Sequence, residues 1–446
     1  MASRRFFDRL RRRGLRGAPG RPALDLAPGL PERDATRVRD VITELLVLHD
    51  SMTQRAEAAA VADAYVALSD DGRRNFLQML ARDFWTDPGT VDDAIDALRF
   101  GDDRRNAERR LRDALAPPAD RLLRLMAALE GGVKFLVDLR ADLLRVANGD
   151  AEIADLDREL KAQLTTMFDV GLLTLRRITW EAPAALLEKL IAYEAVHAIS
   201  SWDDLKNRLD SDRRCYAFFH PAMPNEPLVF VEIALTTGIA TELPPLLDAR
   251  APELDLDRAD TAVFYSISNC QPGLAGVNLG TALVKQVVEA LRLDLPQLRR
   301  FVTLSPIPAF RTWVEHALAA DGAGLRAGER ELLPAEPARV LARLSAAEWD
   351  VDEAIRPALL ALCARYLTTT AEGRAVDPVA NFHLANGAIV ERINWMADAS
   401  AVGRARSFGV MANYLYEPDR IPERAEAYAT KAAVPTSSEV RELIAQ

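Results

Sequence analysis

The segment "FYSISNCQPGLAGVNLGTALVKQVVEAL", residues 264–291, decides the fold of the second half of the chain. It begins with an apolar, aromatic and β-branched run, which is typical of a buried strand. It ends with apolar residues at helical spacing. Between the two lie Gly273, Gly276 and Gly280. Glycines in such a place either form a tight strand-to-helix turn or let backbone N–H groups approach a phosphate closely. The segment alone leaves both interpretations open.

The sequence around this segment predicts a βαβ-like unit. A helix is expected at 280–293, and a right-handed crossover would join the strands on either side of it. Residues 320–375 return to helical patterns, and "FGVMANYLY" at 408–416 alternates like a strand. Strand composition recurs at 214–221, 226–238, 261–268, 299–306 and 408–416. These patterns predict a mixed α/β domain.

The first half of the chain has a different texture. From about residue 35 to 200, apolar residues recur at i, i+3 and i+4, broken by Pro117-Pro118 and Gly131-Gly132. No cluster of potentially catalytic residues stands out there, so we interpret this region as a helical scaffold or assembly domain. The predicted fold is therefore α+β, with an N-terminal all-helical bundle before the mixed domain. The predicted domains are a basic, Pro/Gly-containing arm (1–34), a helical scaffold or assembly domain (35–200) and a mixed α/β domain (201–446).

Composition excludes several classes of protein. The chain has 446 residues and a formal net charge of −10, which argues against a general nucleic-acid binder because phosphate backbones require a basic surface. Its three cysteines are far apart and not in metal-ligand spacing. No apolar run of membrane-spanning length is present, so no membrane association is expected. The Arg-rich start, "MASRRFFDRLRRRGLRG", is interpreted as a basic disordered arm rather than as an organelle transit peptide.

The glycine segment fits neither of two common phosphate-binding motifs. It lacks the Lys-Ser or Lys-Thr pair of a P-loop, and it does not follow G-x-G-x-x-G. Its position between a strand and a helix would still allow backbone donors and the helix dipole to hold a pyrophosphate.

Two further places carry candidate catalytic groups. Thr303 and Ser305 lie two residues apart at a strand end, so both hydroxyls point to one side, and prolines follow them. The structural alternative is a proline-stabilised turn. His383 lies between apolar residues in "NFHLANGA", close to Asn381, and this pattern by itself favours a structural histidine over a functional one.

The spacing of the other histidines does not indicate a metal site. His220 is expected to order a strand end, and His49 and His316 lie in helical patterns. None forms H-E-x-x-H or H-x-x-x-H. A G-x-S-x-G elbow is also absent from the sequence, which disfavours a serine hydrolase.

Several motifs, in the same order and at compatible spacing, resemble the malonyl-CoA decarboxylase family over most of residues 195–416. The helical half, including "GGVKFLVDLRADLL", is similar more loosely. The motifs are "RRCYAFFHP", "EPLVFVEIALT", "FYSISNCQPGLAGVNLGTALVKQV", "TLSPIPAFRTW", "DPVANFHLANGA" and "RINWMADAS".

The resemblance implies a helical oligomerisation domain, in a dimer or tetramer, followed by a domain with the fold of GNAT-type acyltransferases. It implies a cytoplasmic enzyme of fatty acid metabolism that converts malonyl-CoA to acetyl-CoA with no metal or other cofactor. The glycine segment would then hold the CoA pyrophosphate. The implied substrate- and CoA-binding residues are Gln271, Pro272, Gly273, Leu274, Ala275, Gly276, Val277, Gly280 and Asn381.

The resemblance also implies a catalytic serine and histidine. The histidine corresponds to His383, which would protonate C2 of the enolate, with Asn381 orienting its ring. Ser305 is favoured as the hydroxyl because of its proline-flanked setting, and Thr303 is the alternative. Two other functions stay open: an acyltransferase that moves the acyl group from CoA to an amine, and a non-catalytic acyl-CoA sensor.

Overall fold

The computed structural model describes residues 24–146, 149–277, 279–344 and 353–445. The Arg-rich start and most of the predicted arm lie outside the described residues. The chain divides into two compact units: the first comprises Met1–Thr174, Phe219–Leu228 and Cys270–Asn278, and the second comprises Leu175–Phe218, Val229–Asn269 and Leu279–Gln446. The domain boundaries drawn from the sequence stay a prediction.

The first unit is built from helices, as the 3.6-residue periodicity predicts. Several begin at a side chain that caps the first turn: Asp50 accepts from the N–H of Thr53, and Asp87 from that of Thr90. The helices are α1 (Glu32–Val47), α2 (Ser51–Ala67), α3 (Asp70–Asp83), α4 (Pro88–Phe100), α5 (Arg104–Ala114), α6 (Pro118–Ala127), α7 (Gly132–Val146) and α8 (Ala151–Met167).

The core of this unit consists of aliphatic and aromatic side chains on the inward faces of the helices. Helix α8 shows the pattern, since Leu156, Leu160 and Leu164 recur every four residues and are fully buried. Their neighbours on α7, Leu136 and Leu143, are buried as well. Because the apolar stripe faces inward on each helix, burial of these side chains is the main stabilising contribution.

The second unit contains most of a mixed sheet whose order is β1-β2-β3-β4-β5-β10-β6, with β9 also paired to β10. A separate two-stranded sheet pairs β7 with β8. The strands are β1 (Thr174–Ile178), β2 (Arg213–His220), β3 (Met223–Thr236), β4 (Thr261–Asn269), β5 (Arg300–Thr303), β6 (Ser305–Pro306), β7 (Thr370–Ala371), β8 (Arg374–Ala375), β9 (Ile389–Asn394) and β10 (Met411–Tyr416).

Helices connect these strands. Helix α12 joins the parallel pair β4 and β5, in which Val263 lies opposite Val302, and it buries Leu283 and Val287. The helices are α9 (Ala184–Tyr193), α10 (Trp202–Arg208), α11 (Pro244–Leu247), α12 (Leu279–Asp294), α13 (Phe310–Gly322), α14 (Ala327–Glu331), α15 (Pro337–Leu344), α16 (Arg356–Thr368), α17 (Pro378–Ala385), α18 (Ala401–Ser407), α19 (Ile421–Lys431) and α20 (Ser438–Ala445). The predicted helical region followed by a mixed α/β domain is thus confirmed.

Two predicted strands differ from those observed. The run 299–306 is interrupted at Leu304, whose N–H bonds to Phe264, so Ser305 pairs instead with Ala412 of β10. The last strand begins at Met411 rather than at residue 408, because Phe408 takes a left-handed conformation (φ 55°) that ends α18. The helical prediction for 320–375 holds for α14, α15 and α16, but the β7–β8 hairpin at its end was missed.

Candidate active site

His383 is carried in the last turn of α17, an eight-residue helix. The helix begins at Asp377, whose Oδ1 accepts from the N–H groups of Val379 (3.0 Å) and Ala380 (2.7 Å). Pro378 follows as the first helical residue, where its missing N–H costs nothing. His383 is 3% exposed, so its ring is almost wholly enclosed by protein.

The two candidate hydroxyls lie beside this ring. Ser305 Oγ is 3.0 Å from His383 Nε2 and donates to Thr303 Oγ1 over 2.9 Å. Thr303 Oγ1 also accepts from the N–H of Tyr414 at 3.1 Å. The structure therefore brings Ser305, Thr303 and His383 together. Ser305 is in direct contact with the imidazole, and Thr303 is one hydrogen bond further away.

The second ring nitrogen of His383 is bonded to a tyrosine. Its Nδ1 lies 2.8 Å from the hydroxyl of Tyr416 on β10. Because Ser305 donates its proton to Thr303, it accepts from Nε2–H, which leaves Nδ1 to accept from Tyr416. The bonds thus run in one direction, from Tyr416 to His383 to Ser305 to Thr303. We call these four residues the imidazole cluster.

Packing fixes the ring as well. Tyr414 stacks on the imidazole with ring centroids 4.4 Å apart. Tyr414 and Tyr416 lie two residues apart on β10 and so face the same side of the sheet. Asn413, on the opposite side, donates to Thr303 O at 2.7 Å and holds β10 against β5, the strand that carries Thr303.

Burial controls the protonation of the cluster. Desolvation lowers the pKa of His383 to about 3, because the charged imidazolium loses its water. Desolvation also raises the pKa of the Tyr416 hydroxyl, which therefore keeps its proton. At neutral pH the cluster is uncharged throughout, and it consists of hydrogen-bond donors and acceptors whose directions are set.

Asn381, which was expected to orient the imidazole, has another partner. Its Oδ1 accepts from the hydroxyl of Tyr428 at 2.8 Å, and that hydroxyl also accepts from the N–H of Ala375 at 2.6 Å. The side chain that holds Nδ1 of His383 is Tyr416, so this part of the sequence interpretation is corrected.

Two of the three glycines are explained by close packing. A Cβ on Gly273 would lie 1.8 Å from the carbonyl oxygen of Val137 on α7, so helix and loop meet backbone to backbone. A Cβ on Gly280 would lie 2.7 Å from the ring of Phe382, the residue before His383. At these two positions the packing requirement is sufficient to explain glycine.

The third glycine and its loop are held differently. Gly276 has φ +77°, a conformation that favours glycine. Arg140 of α7 donates to the carbonyls of Gly273 (2.7 Å) and Ala275 (2.8 Å). Gln271 anchors the start of the loop by donating to Pro227 O at 2.9 Å. Pro272, Gly273 and Leu274 form a 3₁₀ turn, and the loop belongs to the same compact unit as α7.

Two family models match the chain. The malonyl-CoA decarboxylase C-terminal domain matches residues 171–446, and the malonyl-CoA decarboxylase N-terminal domain matches residues 84–168. The chain belongs to the malonyl-CoA decarboxylase family.

Relatives of the malonyl-CoA decarboxylase family match along nearly the whole chain. The mitochondrial malonyl-CoA decarboxylase of Anser anser anser is 35% identical and covers 98% of this chain and 94% of its own length. That of Rattus norvegicus is 36% identical, covering 87% and 85%. Crystal structures of malonyl-CoA decarboxylase from Rhodopseudomonas palustris (38% identity, 92% and 99% coverage) and Agrobacterium vitis (39%, 91% and 99%) each match with a TM-score of 0.84.

In this member of the malonyl-CoA decarboxylase family, sequence reasoning missed Tyr416 and Tyr414. The alternation of "FGVMANYLY" put both on one face of a strand, but nothing local indicated that this face meets a histidine. His220, by contrast, is bonded at a strand end, with Nε2 3.1 Å from Met167 O. Among the described residues, no group of three or more His, Cys, Asp or Glu could hold a metal ion. Within the same residues, no helix is long and apolar enough to cross a membrane.

Proposed function

We propose that this chain decarboxylates malonyl-CoA to acetyl-CoA and CO2, with Ser305 and His383 as its catalytic residues. The observation that carries the proposal is the contact between Ser305 Oγ and His383 Nε2, 3.0 Å apart in a buried, uncharged setting. Membership of the malonyl-CoA decarboxylase family supports the reaction, and the geometry supports these two residues as its agents.

The reaction needs a place for developing negative charge. When the bond between C2 and the carboxylate breaks, its electron pair moves onto the thioester as an enolate and CO2 leaves. Of the two hydroxyl residues, Ser305 is more exposed than Thr303, at 6%. Its hydroxyl proton turns from Thr303 to the substrate. A hydroxyl donor beside the developing charge in a buried site is worth about 3 kcal/mol of transition-state stabilisation. Thr303, held by the Tyr414 N–H, keeps Ser305 in position.

A proton must then reach C2. Without substrate, His383 is neutral, since burial lowers its pKa to about 3. The substrate brings a carboxylate, and an adjacent negative charge favours the imidazolium. We therefore expect His383 to gain a proton when malonyl-CoA binds and to deliver it to C2 as general acid. One proton is consumed per turnover, and Tyr416 keeps the ring aligned by bonding Nδ1.

The remaining expectations complete the proposal. The loop Gln271–Val277, together with Gly280 and Asn381, would bind the CoA portion of the substrate. The reaction as written needs no metal or other cofactor. A homo-oligomer, dimeric or tetrameric, a cytoplasmic location and a role in fatty acid metabolism are the expected context.

The deciding experiment follows the acyl-CoA by mass after purified protein is mixed with malonyl-CoA and no acceptor. We expect acetyl-CoA and CO2 in equal amounts, with turnover unchanged by EDTA. Intact malonyl-CoA after long incubation would contradict the proposal.

An acyltransferase on the same fold is the second candidate. It is supported by the expected likeness of the catalytic domain to GNAT-type enzymes, and it predicts malonyl transfer to an added amine with release of free CoA. The third candidate, an acyl-CoA sensor, predicts binding with no change in the ligand. Mass analysis of the same mixture, with and without a panel of amines, separates all three.

A further inference from the structure

Lys161 ends beside the turn at Gly276. It lies on α8, and a Cβ placed on Gly276 would be 2.7 Å from Lys161 Nζ and 3.0 Å from its Cε. Both residues belong to the first compact unit. Lys161 as a whole residue is partly exposed.

A second cation, Arg140, also reaches the glycine loop, but it is already paired. Arg140 is buried and forms an ion pair with Asp157, Nε to Oδ1 at 2.8 Å, while its Nη1 bonds the loop carbonyls. Arg140 and Asp157 therefore cancel, and Arg140 acts as the support of the loop. Lys161, one turn after Asp157 on the same helix, leaves a net positive charge at this position in a chain of net charge −10.

Several backbone N–H groups of the loop also already form hydrogen bonds. The N–H groups of Leu274, Ala275 and Val277 bond to carbonyls within the loop. A phosphate at this turn would thus find few free backbone donors, and most of the attraction would have to come from a side-chain cation. Glycine at 276 is what lets that cation come close, because any side chain there would meet the ammonium.

We propose that Lys161 binds a phosphate of CoA at the Gly276 turn, so that the helical N-terminal region contributes directly to substrate binding. The inference rests on the proposed function, since it takes a CoA thioester as the ligand. It assigns to Lys161 a role in holding the nucleotide end and none in the bond-breaking step. The ligand chemistry is a pyrophosphate, recognised by one ammonium and the turn.

The test compares Lys161→Met with Lys161→Arg, using Lys134→Met as the matched control. Lys134 lies on α7 and its ammonium is paired with Asp138 at 2.5 Å. The affinity of each variant for free CoA is measured by calorimetry at low and moderate salt. Turnover is measured with malonyl-CoA and with malonyl-pantetheine, which lacks the pyrophosphate. Circular dichroism confirms that each variant is folded.

Loss of one charge-assisted bond should weaken CoA binding by Lys161→Met roughly ten- to a hundredfold. Its affinity should also depend less on salt, as expected when a phosphate contact is lost. The KM for malonyl-CoA should rise with little change in kcat, while turnover of malonyl-pantetheine should match the wild type. Lys161→Arg should restore most of the affinity, and Lys134→Met should bind as the wild type does.

Equal CoA affinity in Lys161→Met and the wild type would overturn the inference, as would equal losses with both substrates. A wild type that binds CoA with the expected Lys161 dependence but leaves malonyl-CoA intact would reject the proposed decarboxylation and leave the phosphate site standing. Calorimetry therefore tests the phosphate site, and turnover tests the proposed decarboxylation, and either can be rejected without the other.

Discussion

Two buried polar clusters of the second unit are organised in opposite ways. The imidazole cluster is uncharged and is linked by hydrogen bonds that run from Tyr416 to Thr303. The other, which we call the arginine cluster, is ionic. In it Arg208, only 2% exposed, bonds Glu232 Oε2 at 2.8 Å and Asp204 Oδ1 at 2.9 Å.

Glu194 connects the arginine cluster to the sheet, because its charge acts on Glu232 and it bonds to strand β4. Burial, reinforced by nearby Glu194, raises the pKa of Glu232, and the Arg208 guanidinium opposes that shift. Glu194 itself accepts from the hydroxyls of Ser266 (2.8 Å) and Ser268 (3.1 Å) on β4. Removing a member of such a cluster leaves a buried charge without its partner. Removing a member of the imidazole cluster leaves neutral groups, so the loss should appear in activity rather than in folding.

The largest expected effect is on activity. Replacing His383 with Ala should lower kcat by about 10³-fold or more, because both the proton donor and the partner of Ser305 disappear. The far-ultraviolet spectrum and oligomeric state should stay as in the wild type. His49→Ala, which alters an exposed histidine, is the control. Turnover of His383→Ala within tenfold of the wild type would remove His383 from the mechanism.

A substitution in the arginine cluster should lower the stability of the fold. Arg208→Met should lower the free energy of unfolding by about 3–5 kcal/mol, because Glu232 and Asp204 lose their shared cation. Urea unfolding monitored by tryptophan fluorescence measures this. The exposed pair of Arg420 and Glu423, whose atoms lie 2.8 Å apart, offers the control. Arg420→Met should leave the free energy of unfolding close to that of the wild type, because water screens this exposed pair. If Arg208→Met were as stable as Arg420→Met, the contrast between the clusters would fail.

Removing the hydroxyl of Ser305 and removing that of Thr303 should lower kcat by different amounts. Ser305→Ala removes the direct contact of His383 and should lower kcat by about 10²–10³-fold. Thr303→Val leaves that contact and removes an acceptor, so a loss of about tenfold is expected. Steady-state turnover of malonyl-CoA by both variants decides between them. A larger loss in Thr303→Val than in Ser305→Ala would transfer the catalytic role to Thr303.

The smallest effect concerns pH and stability. The pKa of His383 is lowered to about 3 in the folded protein, against 6.5 for an ordinary histidine. Between these values the unfolded state binds more protons, so stability falls as the pH drops from 6.5, by at most about 1.4 kcal/mol per pH unit from this group. His383→Gln should lose less stability than the wild type between pH 7 and pH 5. Parallel curves for the two proteins would show that His383 is not buried as a neutral ring.

Elements with strong local signals could be predicted from the sequence. The strand 261–268 and the helix 280–293 are observed as Thr261–Asn269 and Leu279–Asp294, since their apolar periodicity is set by burial on one face. The pairing of Thr303 with Ser305 follows from strand alternation, and the structure brings both hydroxyls together. These features depend on residues close in sequence.

Features that depend on distant residues could not be predicted. Tyr416 lies 33 residues after His383, and their hydrogen bond arises from the position of α17 beside β10. The reason for Gly273 is a helix backbone more than a hundred residues earlier. Burial, a tertiary property, lowers the pKa of His383, and no local pattern of residues indicates that burial. In each case the missing information was which surface a segment would meet.

The short helix that carries His383 has a consequence for heat inactivation. Eight residues span about 12 Å, and a helix of that length is not stable by itself in water. Helix α17 therefore persists through the cap at Asp377 and its packing against the rest of the unit. Segments of this kind open locally at a lower free energy than the whole domain. The enzyme should thus lose its histidine geometry reversibly on warming, with turnover declining several degrees before the sheet melts.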